Sequence, residues 1–150
     1  MKDILTSSVK ELIHRDLTKL KQEISEYKTE EAIWELRGEI KNTAGNLCLH
    51  LCGNLQHYIG AVLGKSGYKR NRDAEFSAKN ITQANLLKEI ENTIQVVQTT
   101  LSEISPAIAE QEYPEKVFDK PVRTGYFLIH LCSHLNYHLG QVNYHRRLLS

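Results

Sequence analysis

Proline is scarce in this chain of 150 residues: Pro106, Pro114 and Pro121 are its three occurrences, all in one short window. Everywhere else the backbone runs without the residue that most strongly breaks a helix. No stretch alternates apolar and polar residues over the length of a strand, and no internal repeat is visible. Charge of one sign is also missing. Nineteen Lys and Arg face eighteen Asp and Glu, for a formal net charge of +1, so there is no general pull toward nucleic acid, an anionic membrane or an acidic partner. A basic patch with interleaved aromatics, the footprint of a nucleic-acid binder, is absent, because "KSGYKRNR" runs straight into Asp73 and Glu75. Long apolar runs are absent too. "MKDILTSSVKELIHRDL" contains Asp3, Glu11 and Asp16 and reads as neither a secretory signal nor a membrane span. Cys48, Cys52 and Cys132 cannot all pair within one chain, and without a signal peptide they point to a reducing cytoplasm. All three sit in apolar helical stretches and read as small core residues.

What is present is helical periodicity. Residues 4–27 carry Ile4, Val9, Leu12, Ile13, Leu17, Leu20 and Ile24 on one stripe with charges opposite. "TEEAIWEL" predicts a turn or two of helix capped by Thr29. A second long helix is predicted over 43–63, a third from a Thr82 cap to just before Pro106, and a fourth over 124–148. Residues 64–80 read as a surface loop in which Asp73 and Glu75 pair with Arg70 and Arg72. Residues 106–121 read as a long ordered loop. Four long helices without strands predict an all-α four-helix bundle, a single domain over 1–150.

The fourth helix contains "HLCSHLNYHLGQVNYHRR". At about 100° per residue, His130 and His138 lie about 40° to either side of His134, with Gln141 and His145 within about 20° of it. On the second helix, Asn46 and Asn54 lie about 40° from His50, and His57 about 20° from it. Two polar stripes containing histidine are natural partners across a bundle, since buried polar groups need partners. His134 and His138 can bind one divalent ion from one helix, and His50 can supply a third ligand. Three imidazoles leave a position open for water or substrate, as catalytic sites do. Such a site suits zinc, nickel, copper or iron, zinc or nickel foremost. A hydrogen-bonded histidine–asparagine core network is the alternative reading of the same stripes. His57, His130 and Gln141 lie near the three in projection and are the candidates to orient ligands or move protons. His145, two turns beyond His138, is expected at the rim, and His14, in a charged helix, at the surface. No HExxH occurs, so the metalloprotease helix is absent.

Trp34, then "NLCLH" ending at His50, then "HLCSHLNYHLGQ" from His130 to Gln141 resemble the DinB-like superfamily. Its members are four-helix bundles with a histidine in the second helix, downstream of a tryptophan, and HxxxHxGQ in the last. The resemblance covers nearly the whole chain. It implies that His50, His134 and His138 are the metal triad, with His130 at a position often histidine but not usually a ligand. "GNLQHYIGAVLGKSGYKRNRDAEFS" resembles an uncharacterised branch of the same superfamily. Leu139 is a departure, since many relatives carry arginine there. The resemblance implies a metalloenzyme. Characterised relatives include transferases that use bacillithiol, mycothiol or glutathione, and a maleylpyruvate isomerase. The expected activity is thus metal-dependent thiol S-transfer to a small-molecule substrate, with a low-molecular-weight thiol as cosubstrate. The alternatives are a metal-dependent hydrolase and a non-enzymatic binding or dimerisation protein with a structural metal. Dimerisation is common in the superfamily, so a homodimer is one arrangement that it implies.

Overall fold

In the computed structural model, which describes residues 3–150, every regular element is helical. The helix starts are set by side-chain oxygens that accept an otherwise unpaired backbone N–H. Asp3 accepts from Leu5 ahead of α1 (Ile4–Ser25), and Thr29 from Ala32 ahead of α2 (Glu30–Ile33). Thr43 accepts from Asn46 ahead of α3 (Ala44–Leu55), and Asn71 from Ala74 ahead of α4 (Arg72–Ser77). Thr82 accepts from Asn85 ahead of α5 (Gln83–Glu103). The last helix, α6 (Thr124–Leu149), begins just after Pro121.

Beyond Leu55 the second long helix does not continue as an α-helix. Residues Gln56–Ala61 form a π-helical segment, a geometry that occurs mostly as single widened turns near functional sites. Gln56 is buried there, and its side-chain amide donates to Glu89 Oε1 at 2.9 Å and to Thr93 Oγ1 at 3.0 Å on α5.

Helix α1 packs against α5 and α6, α3 packs against the same two, and α4 lies on α3. The shared interior holds Ile13, Leu17, Leu20 and Ile24 of α1, Leu51 and Leu55 of α3, Leu86 and Ile90 of α5, and Leu128 and Leu135 of α6. Burying each such side chain contributes about 1.5–3 kcal/mol, so this interior fixes how the long helices sit against one another. Cys48 and Cys52 are buried in it, Cys132 is half-buried at its edge, and none is in a disulfide. No helix among the described residues is long and apolar enough to cross a membrane.

Two loops are more structured than their composition predicts. Residues 64–80 contain α4, which rests on α3 rather than lying loose at the surface. Residues 106–121 open with a 3-10 turn (Pro106–Glu110) and are tied down by Tyr113, whose N–H donates to the Val122 carbonyl at 2.9 Å and whose hydroxyl donates to the Tyr58 carbonyl at 2.6 Å.

Candidate metal centre

Three histidines meet where α3 faces α6. His134 and His138, one turn apart on α6, converge with His50 of α3, each offering a nitrogen within 4.8 Å of the others'. His50 Nε2 lies 3.1 Å from His134 Nε2. Ring centroids are 4.7 Å apart for His134 and His138 and 5.4 Å for His50 and His138.

Hydrogen bonds at the far sides of the rings decide what these nitrogens present. His50 Nδ1 lies 3.1 Å from Glu75 Oε1. An ionised carboxylate only accepts, so Nδ1 carries the proton and Nε2 keeps its lone pair. His138 Nδ1 lies 2.7 Å from Gln141 Oε1 and donates to it, which leaves Nε2 as its unprotonated nitrogen. His134 Nδ1 is buried without a partner. Burial, then the neighbouring His138, His50, His130 and Arg70, push the pKa of His134 down to about 3. Burial also lowers His138, against the opposing hydrogen bond from Gln141. In their neutral forms His50 and His138 thus each keep Nε2 free to bind a proton or an ion, and each of the three rings has a nitrogen within 4.8 Å of the others'.

Glu75 reaches this point from α4. Arg70 grips its carboxylate side-on, Nε to Oε2 and Nη2 to Oε1, both at 2.9 Å, while the Arg70 guanidinium lies 5.7 Å from the Tyr58 ring centre. Burial alone would raise the Glu75 pKa, but hydrogen bonds from His50 and Arg70 and the Arg70 charge outweigh it and hold the group below the ordinary carboxylate value. Two further residues of the α3 polar stripe make this approach possible. A Cβ on Gly53 would stand 2.0 Å from Glu75 Oε2, so only glycine leaves room for the carboxylate. Asn46 donates to the backbone carbonyls of Glu75 and Ala78, each at 2.9 Å, and so ties α4 to α3.

Other sequence expectations are redistributed. Neither Asn46 nor Asn54 hydrogen-bonds a histidine among the described residues, so a direct histidine–asparagine network is not what joins the stripes. The loop pairing is half as predicted: Arg70 holds Glu75, whereas Arg72 lies over the Phe76 ring. His57 sits in the π-helical segment and pairs with Glu115, Nε2 lying 2.9 and 3.0 Å from its two oxygens. It does not join the cluster. His130 does come near, ring-stacked on Phe127 and edge-on to Phe118. It lines a cavity of about 190 Å³ together with His50, His134, Asn54, Tyr58, Arg70 and Arg72. Gln141 orients His138 instead of reaching toward a ligand. His145 is not at a rim. It is buried, with Nδ1 2.6 Å from the Tyr27 hydroxyl and Nε2 2.8 Å from the Glu35 carbonyl, which makes it a structural histidine.

These features define an all-helical protein in which His50, His134 and His138 could hold a metal ion. The chain belongs to a family described as "Protein of unknown function (DUF1572)", whose profile matches residues 3–150. No curated protein and no solved structure matches it.

Proposed function

We propose that this chain is a metal-dependent enzyme of the DinB-like superfamily, a single-domain four-helix bundle that transfers a small thiol to an electrophilic substrate. The observation that carries the reading is the tautomer set. His50 and His138 each spend Nδ1 on an acceptor, so two lone pairs converge on His134, and one His134 proton can satisfy only one of them. A cation satisfies all three nitrogens. Two nitrogens at about 2.0–2.1 Å from one tetrahedral ion stand about 3.3 Å apart, close to the 3.1 Å between His50 and His134.

His50, His134 and His138 would hold a divalent ion, zinc or nickel foremost. What the ion supplies is Lewis acidity, which favours the thiolate form of a thiol at neutral pH. The chain's own residues do the rest. Glu75 and Gln141 fix the ring orientation and tautomer of two ligands. Phe118, Phe127 and Val117 wall the adjoining cavity and exclude water from it. His130, which has no hydrogen-bond partner among the described residues, is placed to hold or move a proton at the cavity wall. Hydrolysis has less support, because Glu75, the carboxylate that reaches the cluster, already accepts three hydrogen bonds from Arg70 and His50 and its pKa is held below the ordinary carboxylate value, which makes it a weak base.

A reducing cytoplasm suits the three unpaired cysteines. A homodimer is the partner we favour. Tyr126, Ile129, Tyr137, Tyr144 and Leu148 are all exposed at the three- and four-residue spacing of one α6 face, and a second copy would cover them. The test of the activity is conjugation of glutathione, cysteine, bacillithiol or mycothiol to a chromogenic aryl halide, by protein loaded with zinc or nickel and by chelator-treated protein. The expected result is turnover with at least one thiol that disappears on chelation. Absence of metal-dependent turnover with every thiol overturns S-transfer.

A further inference from the structure

The cavity beside the histidines contains a group that the folded chain does not use. Asn54 is 7% exposed and lies one turn beyond His50 on the same stripe. Its Oδ1 is buried without a partner, and its amide nitrogen donates to no group among the described residues. An unpartnered buried amide costs about 1–3 kcal/mol, and such groups in native structures mark a missing ligand or a functional role. The side chain lines the cavity.

We propose that this cavity binds a small organic monoanion, a carboxylate on an apolar body, with the carboxylate accepting from the unspent Asn54 Nδ2, from Arg72 and from the unused edge of Arg70. This names the substrate class of the site proposed above and rests on that reading for its catalytic meaning.

Charge sets the anion. The titratable groups that line the cavity are His50, Tyr58, His130, His134, Arg70 and Arg72, with no carboxylate among them. Arg70 is matched by Glu75, which it grips through Nε and Nη2, so Nη1 is left with its donors unspent. Arg72 is in no ion pair among the described residues, and its guanidinium lies 6.0 Å from the Phe76 ring centre. One uncompensated cation, two unspent donors and one amide suit a single negative charge.

Shape sets the body. Val117, Phe118, Phe127 and Leu131 make the remaining wall, with the Phe127 and His130 rings nearly parallel at 14°. The 190 Å³ volume equals about six waters at roughly 30 Å³ each, enough for one ring and a carboxylate. It falls below the roughly 300–1,000 Å³ of sites for drug-sized ligands.

Benzoate and its neutral isostere benzamide test this by calorimetric titration of wild-type protein and of the Asn54→Leu and Arg72→Ala variants, each metal-loaded and chelator-treated. Asn54→Leu removes a buried amide without a partner and no hydrogen bond within the protein, so it is expected to keep or raise Tm, and Arg72 is exposed, so Arg72→Ala is expected to keep it. Benzoate is expected to bind wild-type protein at least about ten-fold more tightly than benzamide and to weaken at least about ten-fold in each variant, as for a lost hydrogen bond to a charged group. Equal binding of the two probes, no benzoate binding at millimolar concentration, or wild-type affinity in both variants overturns the subsite. Benzoate binding that vanishes on chelation yet ignores both substitutions is ligation of the ion itself, and overturns it equally. Metal content is measured on the same samples. Benzoate binding by protein that takes up no ion on metal loading overturns the proposed metalloenzyme and leaves the subsite standing, whereas uptake of an ion without benzoate binding does the reverse.

Discussion

Replacing Glu75 by Gln separates structural from metal-directed roles in one residue. The substitution keeps shape and removes charge. In the wild type the carboxylate accepts from Arg70 Nε and Nη2 and from His50 Nδ1, all donors. A glutamine amide turns one acceptor into a donor, so a donor faces a donor and the Arg70 charge is left without its partner. Breaking a buried pair in this way costs about 3–5 kcal/mol, and about 3 is expected here because Arg70 also borders the cavity. That loss should appear in urea unfolding of chelator-treated protein followed by circular dichroism. Its pH dependence has a fixed sign. The folded-state pKa of Glu75 is depressed, so its stabilisation is present above the unfolded carboxylate value of about 4.3 and is lost as pH falls through the folded value. Wild type and variant should therefore converge in acid. The second effect concerns the ligand. Without the carboxylate, the His50 tautomer is no longer held, and loss of such a partner weakens metal binding about 10–100-fold, or about 1.4–2.7 kcal/mol. In saturating metal the stability gap between wild type and variant should widen by that amount, and competition with a chromogenic chelator should give the same ratio. An equal gap with and without metal would refute the claim that Glu75 acts through His50, and an unchanged stability in chelator would refute the ion pair.

Removing His134 with alanine should leave the fold intact and abolish stoichiometric metal binding by elemental analysis, whereas unfolding of this variant would mark the ion as structural. Gly45→Ala puts a Cβ 2.6 Å from the Trp34 ring, which is pinned by its Nε1 bond to the Ile81 carbonyl; about 1–3 kcal/mol of destabilisation and a shift in the emission of the one tryptophan should follow. Tyr27→Phe strips the donor from His145 Nδ1 and should cost about 1–3 kcal/mol in thermal unfolding. Burial lowers the His145 pKa, so its neutral form is favoured by folding, and wild-type stability should fall as pH drops below about 6.5; a His145→Gln variant should show a shallower decline. Tyr137→Glu, in the middle of the exposed α6 face, should convert a dimer to monomer in sedimentation and remove the concentration dependence of Tm.

Helical periodicity made part of this site legible, and the parts it missed share a physical reason. A projection at about 100° per residue keeps angle and discards height. His134 and His138 share a face and differ by one turn, so both reach the same point as His50. His57 shares the angle of His50, but seven residues at 1.5 Å place it about 10 Å along the axis, beside Glu115 instead. His145 is about 16 Å from His134 by the same rise, level with Tyr27 and Glu35. The opening of the chain and its last helix meet there, a pairing that no local spacing encodes. Glu75 was hidden differently. It arrives on α4, a helix too short for periodicity to reveal, in a segment whose alternating charges read as a surface loop.

The sequence nevertheless carried a trace of the Glu75 arrival, in a glycine beside the α3 stripe. A helix interior disfavours glycine by about 1 kcal/mol relative to alanine, so a glycine kept on a polar, inward face implies that another element occupies the space of its side chain. Gly53, about 60° from His50, gives that space to the Glu75 carboxylate. Read this way, a histidine stripe interrupted by glycine predicts that the site is completed from outside the two helices that carry the histidines, and α4 is the element that completes it.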